Sequence, residues 1–340
     1  MLRSSALLKG SAAAVITLLV SASTALPAMP DHKAQTEASR KAILDFARLL
    51  YVERKPQEAF GRYFADDLIQ HDPLIGDGSH GDEAFLKKRR EKDPEKFLPD
   101  NQYATVVDNI LADGDLVAVK SHVFTNPQDP GRAFVDIWQV KDGKFVEHWD
   151  IVQPVVKNPK NDATMWCGDA STYAEALKVG DTVKQPTCGP SGPASNREKS
   201  LETVNAYRQM LAQPGRVTEA VNTYLAKDFV QHSPHIPPGR DALAAYFNDG
   251  AAKRKASGRK SLVARVIADG DFVLYHRLVT SNDNPRGTAY ADLFQVKDGK
   301  IVAHWDVVQP IPSFTVSGRS MVIGPLEPGR TRGGPENGQE

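Results

Sequence analysis

The sequence predicts an α+β protein built from two similar domains in tandem. Two observations support this prediction: a long stretch of the chain recurs with its motifs in the same order, and in each copy a helical period of apolar residues is followed by strand-like alternation. With 340 residues, of which 41% are hydrophobic, the chain can fill more than one core. We therefore expect three helices and then an antiparallel sheet in each domain.

The internal repeat is clearest in the last segment of each copy. QVKDGKFVEHWDIVQPV, at residues 139–155, and QVKDGKIVAHWDVVQPI, at residues 295–311, are identical at 13 of 17 positions. Two shorter pairs precede them in the same order, YFADDLIQH with YLAKDFVQH and ILADGDLV with VIADGDFV. The repeat places the first domain at residues 36–157 and the second at residues 196–312, and residues 158–195 connect them.

Three helices and four strands are predicted in each domain. The first helices, residues 38–52 and 201–211, carry their apolar side chains on one face. The second and third helices begin near Pro56 and Asp82 in the first domain, and near Val217 and Asp241 in the second. The strands of the first domain span residues 103–111, 116–125, 133–140 and 144–153. Asp-Gly dipeptides between these strands favour tight hairpins, so the last three or four strands should form an antiparallel meander.

The two ends of the chain differ in composition from the domains. Arg3 and Lys9 precede a short apolar run and then small residues, which predicts a secretory signal over residues 1–25 that leaves no membrane span after cleavage. An uncleaved anchor is the alternative. The predicted location is the periplasm or the outside of the cell. Residues 313–340 are rich in glycine and proline, which predicts a disordered tail.

Charge and cysteine content exclude several classes of function. Lysine plus arginine and aspartate plus glutamate each number 42, so no net field attracts nucleic acid or an anionic membrane. Cys167 and Cys188 both lie in the connector, and export to an oxidising compartment favours a disulfide worth about 3 kcal/mol between them. No phosphate-binding loop, dinucleotide motif or serine-hydrolase motif is present in the sequence, and we predict no cofactor.

Each final strand carries a histidine and an aspartate two residues apart. Alternation along the strand puts His148 and Asp150 on one face and Trp149, predicted to pack, on the other; His304 and Asp306 repeat the arrangement. An imidazole and an acid on one face can move protons when an apolar cavity encloses them. The same His-x-Asp spacing also occurs in metal half-sites, but nothing in the sequence has the spacing of a zinc site, and we predict no metal.

Asp136 and Asp292 lie one strand earlier, among apolar residues, where a buried and unpaired charge is costly. Antiparallel pairing can bring Asp136 within reach of His148 or Asp150. The alternative is that both aspartates stabilise a sheet edge or the interface between the domains. Four further histidines are candidate members of these clusters: His71, His122, His232 and His276. The alternative for His71 and its repeat copy His232 is that they bind backbone groups beside a turn.

The motifs HDPLIGDG, ADGDLVAV and DIWQVKDGKFVEHWD, after three helices, resemble the SnoaL-like branch of the nuclear transport factor 2-like superfamily. The resemblance covers both repeats. It implies cone-shaped domains in which a curved antiparallel sheet wraps around the helices and encloses one pocket. It also implies cofactor-independent proton chemistry, in which one acid removes a proton beside a carbonyl group and a second acid donates to the enolate.

This resemblance leads to a prediction for function and for each site residue. We expect an exported cyclase, lyase or isomerase that acts on a small apolar carbonyl compound. Asp150 and Asp306 are the predicted bases, with His148 and His304 oriented nearby. Asp136 and Asp292 are predicted to act as their acid partners or to support them from behind. The superfamily also contains non-catalytic modules, so the alternative is a ligand-binding or assembly protein whose two domains pair as an intramolecular pseudo-dimer.

Overall fold

Each half of the chain folds as helices packed on one five-stranded sheet, which confirms the predicted α+β class and the tandem arrangement. The computed structural model describes residues 31–99 and 102–333, so the predicted signal over residues 1–25 lies outside the described residues. From His32 onward the described residues form one compact unit. None of the helices in the described ranges is both long enough and apolar enough to cross a bilayer.

The first domain begins with helix α1, residues His32–Ala47, which continues as a wider helical turn over Arg48–Val52. Its remaining elements are α2 (Pro56–Tyr63), β1 (Phe64–Gln70), α3 (Gly81–Lys92), β2 (Ala104–Asp113), β3 (Leu116–Phe124), β4 (Arg132–Lys141) and β5 (Lys144–Pro154). The apolar face of α1 packs on the concave side of the sheet, where the Phe46 ring lies 5.0 Å from that of Phe145 and 5.5 Å from that of Trp138. The predicted helices therefore fill the core of the domain.

The second domain repeats this order with small changes. The connector contributes α4 (Tyr173–Ala176) and a short 3₁₀ turn, and the domain follows as α5 (Arg197–Leu211), α6 (Val217–Tyr224), β6 (Leu225–Gln231), α7 (Arg240–Asp249), α8 (Ala251–Ala256), β7 (Lys260–Asp269), β8 (Phe272–Thr280), β9 (Thr288–Lys297) and β10 (Lys300–Pro310). The predicted Asp-Gly hairpins form: Asp142 and Asp298 both adopt a φ of 51°, in the left-handed region.

Both sheets contain a fifth strand that the sequence did not predict. The strand order is β1-β5-β4-β3-β2 in the first domain and β6-β10-β9-β8-β7 in the second. The last four strands of each domain form the predicted antiparallel meander, whereas β1 and β6 pair in parallel with the final strand. The sequence indicated a helix end and a loop for residues 64–70. A register shift between Phe64 and Ile69 interrupts the alternation that would have indicated a strand.

The two domains contact each other through reciprocal hydrogen bonds. The Val152 N–H donates to Gln309 Oε1 at 2.7 Å, and the Val308 N–H donates to Gln153 Oε1 at the same distance. Apolar side chains from the outer faces of both sheets form one shared core, which includes Trp149 of the first domain. The outer face of each sheet is thus covered by the other domain, and the concave faces are left for the helices and cavities.

A second reciprocal contact joins the ends of the sheets. Arg40 in α1 binds Asp269 of the second domain through two hydrogen bonds of 2.9 Å. Arg197 in α5 binds Asp113 of the first domain in the same way, also at 2.9 Å. Paired guanidinium and carboxylate groups of this geometry fix orientation as well as position.

The connector is tied to the outer face of the first sheet. Cys167 and Cys188 form a disulfide, as predicted. Beside it, Asp108 accepts a hydrogen bond from Thr187 Oγ1 at 2.8 Å and one from Lys120 Nζ at 2.6 Å. Asp108 and Lys120 are almost completely buried, and Thr187 is half-buried. The connector is therefore anchored to Asp108 of strand β2, which is part of a buried ionic cluster with Lys120 of β3.

Residues 313–333 are ordered, where the sequence predicted a disordered tail. They contain the short paired strands β11 (Phe314–Thr315) and β12 (Thr331–Arg332). Met321 and Val322 are fully buried, and an ion pair between Arg330 and Glu327 is buried with them. The glycine and proline content of this segment indicated disorder, but two apolar anchors and an internal ion pair offset the cost of ordering it.

Candidate functional site

Each domain has a cavity between its helices and the concave face of its sheet. The first cavity has a volume of about 190 Å³ and the second of about 550 Å³. The predicted residues Asp136, His148 and Asp150 line the first cavity. Their repeat copies Asp292, His304 and Asp306 line the second. Alternation along β4, β5, β9 and β10 therefore placed these six side chains on the correct faces.

His148 is held in one orientation by groups at both ring nitrogens. Its Nδ1 lies 3.0 Å from Gln70 Oε1, and its Nε2 lies 3.4 Å from Asp136 Oδ1. An amide oxygen only accepts hydrogen bonds, so Nδ1 donates to Gln70 and Nε2 faces the Asp136 carboxylate. Burial alone would lower the pKa of His148, but the hydrogen bond to Asp136 and the charges of Asp82 and Asp72 outweigh it and raise that pKa. The arrangement thus favours a protonated imidazole beside Asp136.

Two further acids, Asp72 and Asp82, complete the first site. The side chains of Asp72 and Asp150 interact directly, and Asp72 Oδ1 also accepts a hydrogen bond from the Leu74 N–H at 2.6 Å. Burial, together with the charges of Asp72 and Asp136, raises the pKa of Asp150 well above its ordinary value. Burial also raises the pKa of Asp72, but the Leu74 N–H and the hydrogen bond with Asp150 offset part of that rise, so Asp150 is the member of the pair that holds the proton. Oδ1 of Asp150 is buried and has no hydrogen-bond partner within the described residues.

The burial of Asp82 makes the free energy of unfolding depend on pH. Burial raises its pKa from 3.8 to about 6, so the folded protein binds more protons than the unfolded chain between about pH 4 and pH 6. The contribution of this group to stability must therefore fall as the pH rises through that window. We expect Asp82→Asn to raise the free energy of unfolding at pH 7 by about 1 to 2 kcal/mol.

The measurement is chemical denaturation at pH 3.5 and pH 7. The gain from Asp82→Asn should be absent at pH 3.5, where the native carboxyl is already protonated. Asp67→Asn, at an exposed position of β1, is the control and should change stability at neither pH. An equal gain at both pH values would rule out ionisation as its cause.

In the second cavity the aspartate equivalent to Asp136 is Asp292, and it is bound by an arginine. Arg277 donates hydrogen bonds from Nε and Nη2 to the carboxylate of Asp292, and Nη2 lies 2.9 Å from Oδ1. His304 Nε2 lies 3.4 Å from the same oxygen. Although burial alone would raise it, the charge of Arg277 and the hydrogen bonds from His304 and Arg277 hold the pKa of Asp292 far below its usual range. The position of Arg277 corresponds to Ser121 in the first domain, when the two ADGD motifs are aligned. A carboxylate bound in this way is a weak base.

The second site also lacks the acid pair. Ser233 occupies the position of Asp72, directly after the QH motif of the repeat. Burial raises the pKa of Asp306, and the interactions with His304 and Ser233 partly offset that rise. Asp241, which is the second residue of α7 as Asp82 is of α3, is exposed and does not line the second cavity, so the fourth acid is missing as well. The two cavities therefore share a framework but differ in chemistry.

The other four candidate histidines lie outside both cavities. His71 and His232 stack on the tryptophans of the final strands, with ring centres 4.9 Å and 4.5 Å apart. His232 also donates from Nδ1 to the Thr164 carbonyl at 2.8 Å, and burial lowers its pKa to about 4. These contacts agree with the alternative in which both histidines bind backbone and packing groups.

His122 and His276 lie on the outer faces of β3 and β8. His122 Nδ1 lies 3.1 Å from Asp108 Oδ1 in the buried ionic cluster, and its ring stacks on Trp166 at 4.5 Å. His276 contacts Arg265 through Nδ1 at 3.3 Å. Strand alternation explains both positions, because the neighbours of His122, Ser121 and Val123, are the residues that line the cavity. Within the described residues, no group of three or more His, Cys, Asp or Glu side chains is arranged to hold a metal ion.

Comparison with protein families gives one match in each repeat. A family model described as a SnoaL-like domain matches residues 45–148 and residues 204–304, which together make up more than half of the chain. Both repeats are thus matched, which confirms the predicted resemblance. A comparison with curated proteins found no match.

Solved structures similar to this chain are single domains. They include a candidate isomerase of the SnoaL-like family from Agrobacterium tumefaciens, with 18% identity, coverage of 33% of this chain and 98% of that one, and a TM-score of 0.29. A candidate ketosteroid isomerase from Kribbella flavida has 20% identity, coverage of 34% and 85%, and a TM-score of 0.28. A candidate SnoaL-like polyketide cyclase from a Jannaschia species has 17% identity, coverage of 34% and 89%, and a TM-score of 0.28.

Proposed function

Because this chain belongs to the SnoaL-like family, with one family domain in each half, we propose that it is a cofactor-independent acid–base catalyst whose first domain carries the activity. The observation that carries the proposal is the placing of two carboxyl groups side by side in one small cavity. Asp136 lies opposite Asp150 across strands β4 and β5 and beside the His148 imidazole, and burial together with Asp72 leaves the proton on Asp150. A proton acceptor and a proton donor in one apolar cavity are the requirement for proton transfer at a carbon beside a carbonyl group.

In this proposal Asp136 removes the proton from the carbon next to the substrate carbonyl. The electron pair of the broken C–H bond moves into the carbonyl, and the developing oxyanion accepts a hydrogen bond from Asp150. Asp136 then returns the proton to a different carbon in an isomerisation. In a cyclisation the enolate carbon instead attacks a second carbonyl group, and the alkoxide formed there takes the proton from Asp136. The sequence predicted Asp150 as base and Asp136 as its acid or supporting partner, so the proposal reverses the two roles. The reason is that burial and the neighbouring carboxyl groups favour a proton on Asp150.

The walls of the first cavity favour a small and mostly apolar substrate. Phe46, Phe60 and Phe64 line one side, and Trp138 lines the sheet side. Asp136 and Asp150 are paired across strands β4 and β5, so that a carbonyl compound would be oriented with its reacting end toward both groups.

A solvent-exchange screen tests this proposal. The full chain is incubated in deuterium oxide with a panel of 1,3-dicarbonyl and ketosteroid-like compounds, and deuterium incorporation is followed by mass spectrometry. We expect exchange above the buffer rate on at least one apolar compound. Exchange on none of them would favour the binding alternative over catalysis.

The proposal for the whole chain includes an intramolecular pseudo-dimer and export. Support for the pseudo-dimer comes from the reciprocal bonds of Gln153 and Gln309 and from the paired Asp113 and Asp269 contacts, each of which has its equivalent in the other domain. The disulfide of the connector is compatible with an oxidising compartment. In the pseudo-dimer each domain covers the outer sheet face of the other, as a second subunit would.

A further inference from the structure

The second cavity is lined by more cations than acids, in contrast to the first. Five cationic side chains line it: Arg208, Arg254, Lys255, Arg259 and Arg277. Its acids are Asp292, which forms an ion pair with Arg277, and Asp306, whose pKa is raised by burial. An adjoining cavity of about 460 Å³ shares Arg254 and Arg259 and adds Lys160 and Lys253, with no acid among its described lining residues. The whole region is therefore positively charged.

Arg208 is the cation in this cavity that is best placed to bind an anionic ligand. Its guanidinium lies 4.3 Å from the centre of the Tyr275 ring, and in the described part of the chain no carboxylate forms an ion pair with it. Burial lowers the pKa of Arg208, which reflects the cost of removing its charge from water. A buried cation without a carboxylate partner is stabilised when an anion enters the cavity.

Apolar side chains form much of the rest of the cavity wall. Leu211, Val217, Phe229 and Leu243 line it, together with aromatic rings from α7 and β9. Such walls bind an apolar body, and the cations select its charge. We propose that the second domain binds an organic anion, specifically an aromatic or aliphatic carboxylate with an apolar body, whose acidic group pairs with Arg208.

This site would be independent of the proton chemistry proposed for the first domain. The exposed side chains Lys255 and Arg259 attract the anion from solvent, so its affinity falls as the salt concentration rises. Arg277 does not serve as the main partner, because its Nε and Nη2 are taken by Asp292 and its Nη1 donates to Ser261 Oγ at 3.2 Å.

Calorimetric titration of the full chain with 2-naphthoate and with 2-naphthamide tests the proposal. The two probes have the same shape but differ in charge. We expect 2-naphthoate to bind at least about tenfold more tightly at low salt, because a charge-assisted contact is stronger than a neutral one. Equal affinities, or no binding of either probe, would overturn the proposal.

Variants test which side chains cause the preference for the charged probe. Arg208→Gln should reduce the preference for 2-naphthoate to about twofold or less, and Arg208→Lys should retain most of it. Arg259→Gln, at an exposed position that does not endanger the fold, should weaken 2-naphthoate about threefold and leave 2-naphthamide unchanged. Lys297→Gln, which removes an exposed cation elsewhere in the domain, is the control and should change neither affinity. A preference that survives both Arg208→Gln and Arg259→Gln would refute the site.

Discussion

Substituting Asp136 with asparagine is expected to lower the rate of proton exchange by about 10²- to 10⁴-fold. Asparagine keeps the shape of the side chain and its contact with His148, but it cannot accept a proton from carbon. The rate is measured as deuterium incorporation into the best compound of the screen, at saturating substrate. Asp67→Asn, an exposed aspartate of β1, is the matched control and should retain the full rate.

The pH dependence distinguishes the roles of the two acids. The rate should fall at alkaline pH as Asp150 loses the proton that it offers to the enolate oxygen. Asp150→Asn retains an N–H donor, so we expect it to lower the rate less than Asp136→Asn does and to remove the alkaline decline. A rate for Asp136→Asn within about twofold of the unmodified protein would eliminate Asp136 as the base.

Asp108→Ala is expected to lower the free energy of unfolding by about 3 to 5 kcal/mol. Lys120 Nζ lies 2.6 Å from Asp108, and both side chains are almost completely buried. Despite its burial, Asp108 is kept ionised because Lys120 and His122 hold its pKa below the usual range. Removing the carboxylate leaves the buried ammonium group of Lys120 without its counter-charge. An unpaired buried charge strongly destabilises the folded state. Urea denaturation measures the loss.

The second domain provides the control for this substitution. Ala264 and Leu278 occupy the positions that correspond to Asp108 and His122, and His276 replaces Lys120. Replacing all three residues together, with Asp108→Ala, Lys120→Met and His122→Leu, removes both charges at once and should cost less than Asp108→Ala alone. A triple variant that is less stable than the single one would show that packing, and not the unpaired charge, dominates.

Much of the fold follows from local sequence patterns. The nearly identical segments at the end of each repeat predicted two domains. The Asp-Gly dipeptides predicted the positions of the hairpins, because they readily adopt left-handed dihedral angles. The strands β1 and β6 could not be predicted in the same way. In each, two consecutive exposed residues, Asp66 and Asp67 in β1, break the alternation, and the pairing with the final strand depends on contacts distant in sequence.

The candidate site was predictable where strand alternation applies. Asp136, His148 and Asp150 share a face because residues two apart in a strand point the same way. Asp72 and Asp82 were missed because one lies in an irregular segment and the other at the start of a helix, where no period indicates direction. The signal for Asp72 was the QHDP segment, because Asp72 follows Gln70, the last residue of β1 and the partner of His148, at an interval of two.

The positive charge of the second cavity depends on which side chains the fold brings together, and the amino-acid composition of the whole chain does not show it. A formal net charge of zero indicated no preference for anions, but that sum covers both domains. Arg277 stands where the first domain has Ser121, and Ser233 stands where it has Asp72. Two such exchanges change the dominant charge of one cavity without altering the fold. Aligning the two repeats position by position would have revealed this divergence.

Proton exchange by two matched double variants tests most directly whether the first cavity alone carries the chemistry. One variant combines Asp136→Asn with Asp150→Asn, and the other combines the equivalent changes Asp292→Asn and Asp306→Asn. Both preserve side-chain volume and remove the same two carboxyl groups from their cavity. Deuterium incorporation should be lost in the first variant and retained in the second; retention in the first, or loss in the second alone, would contradict this assignment.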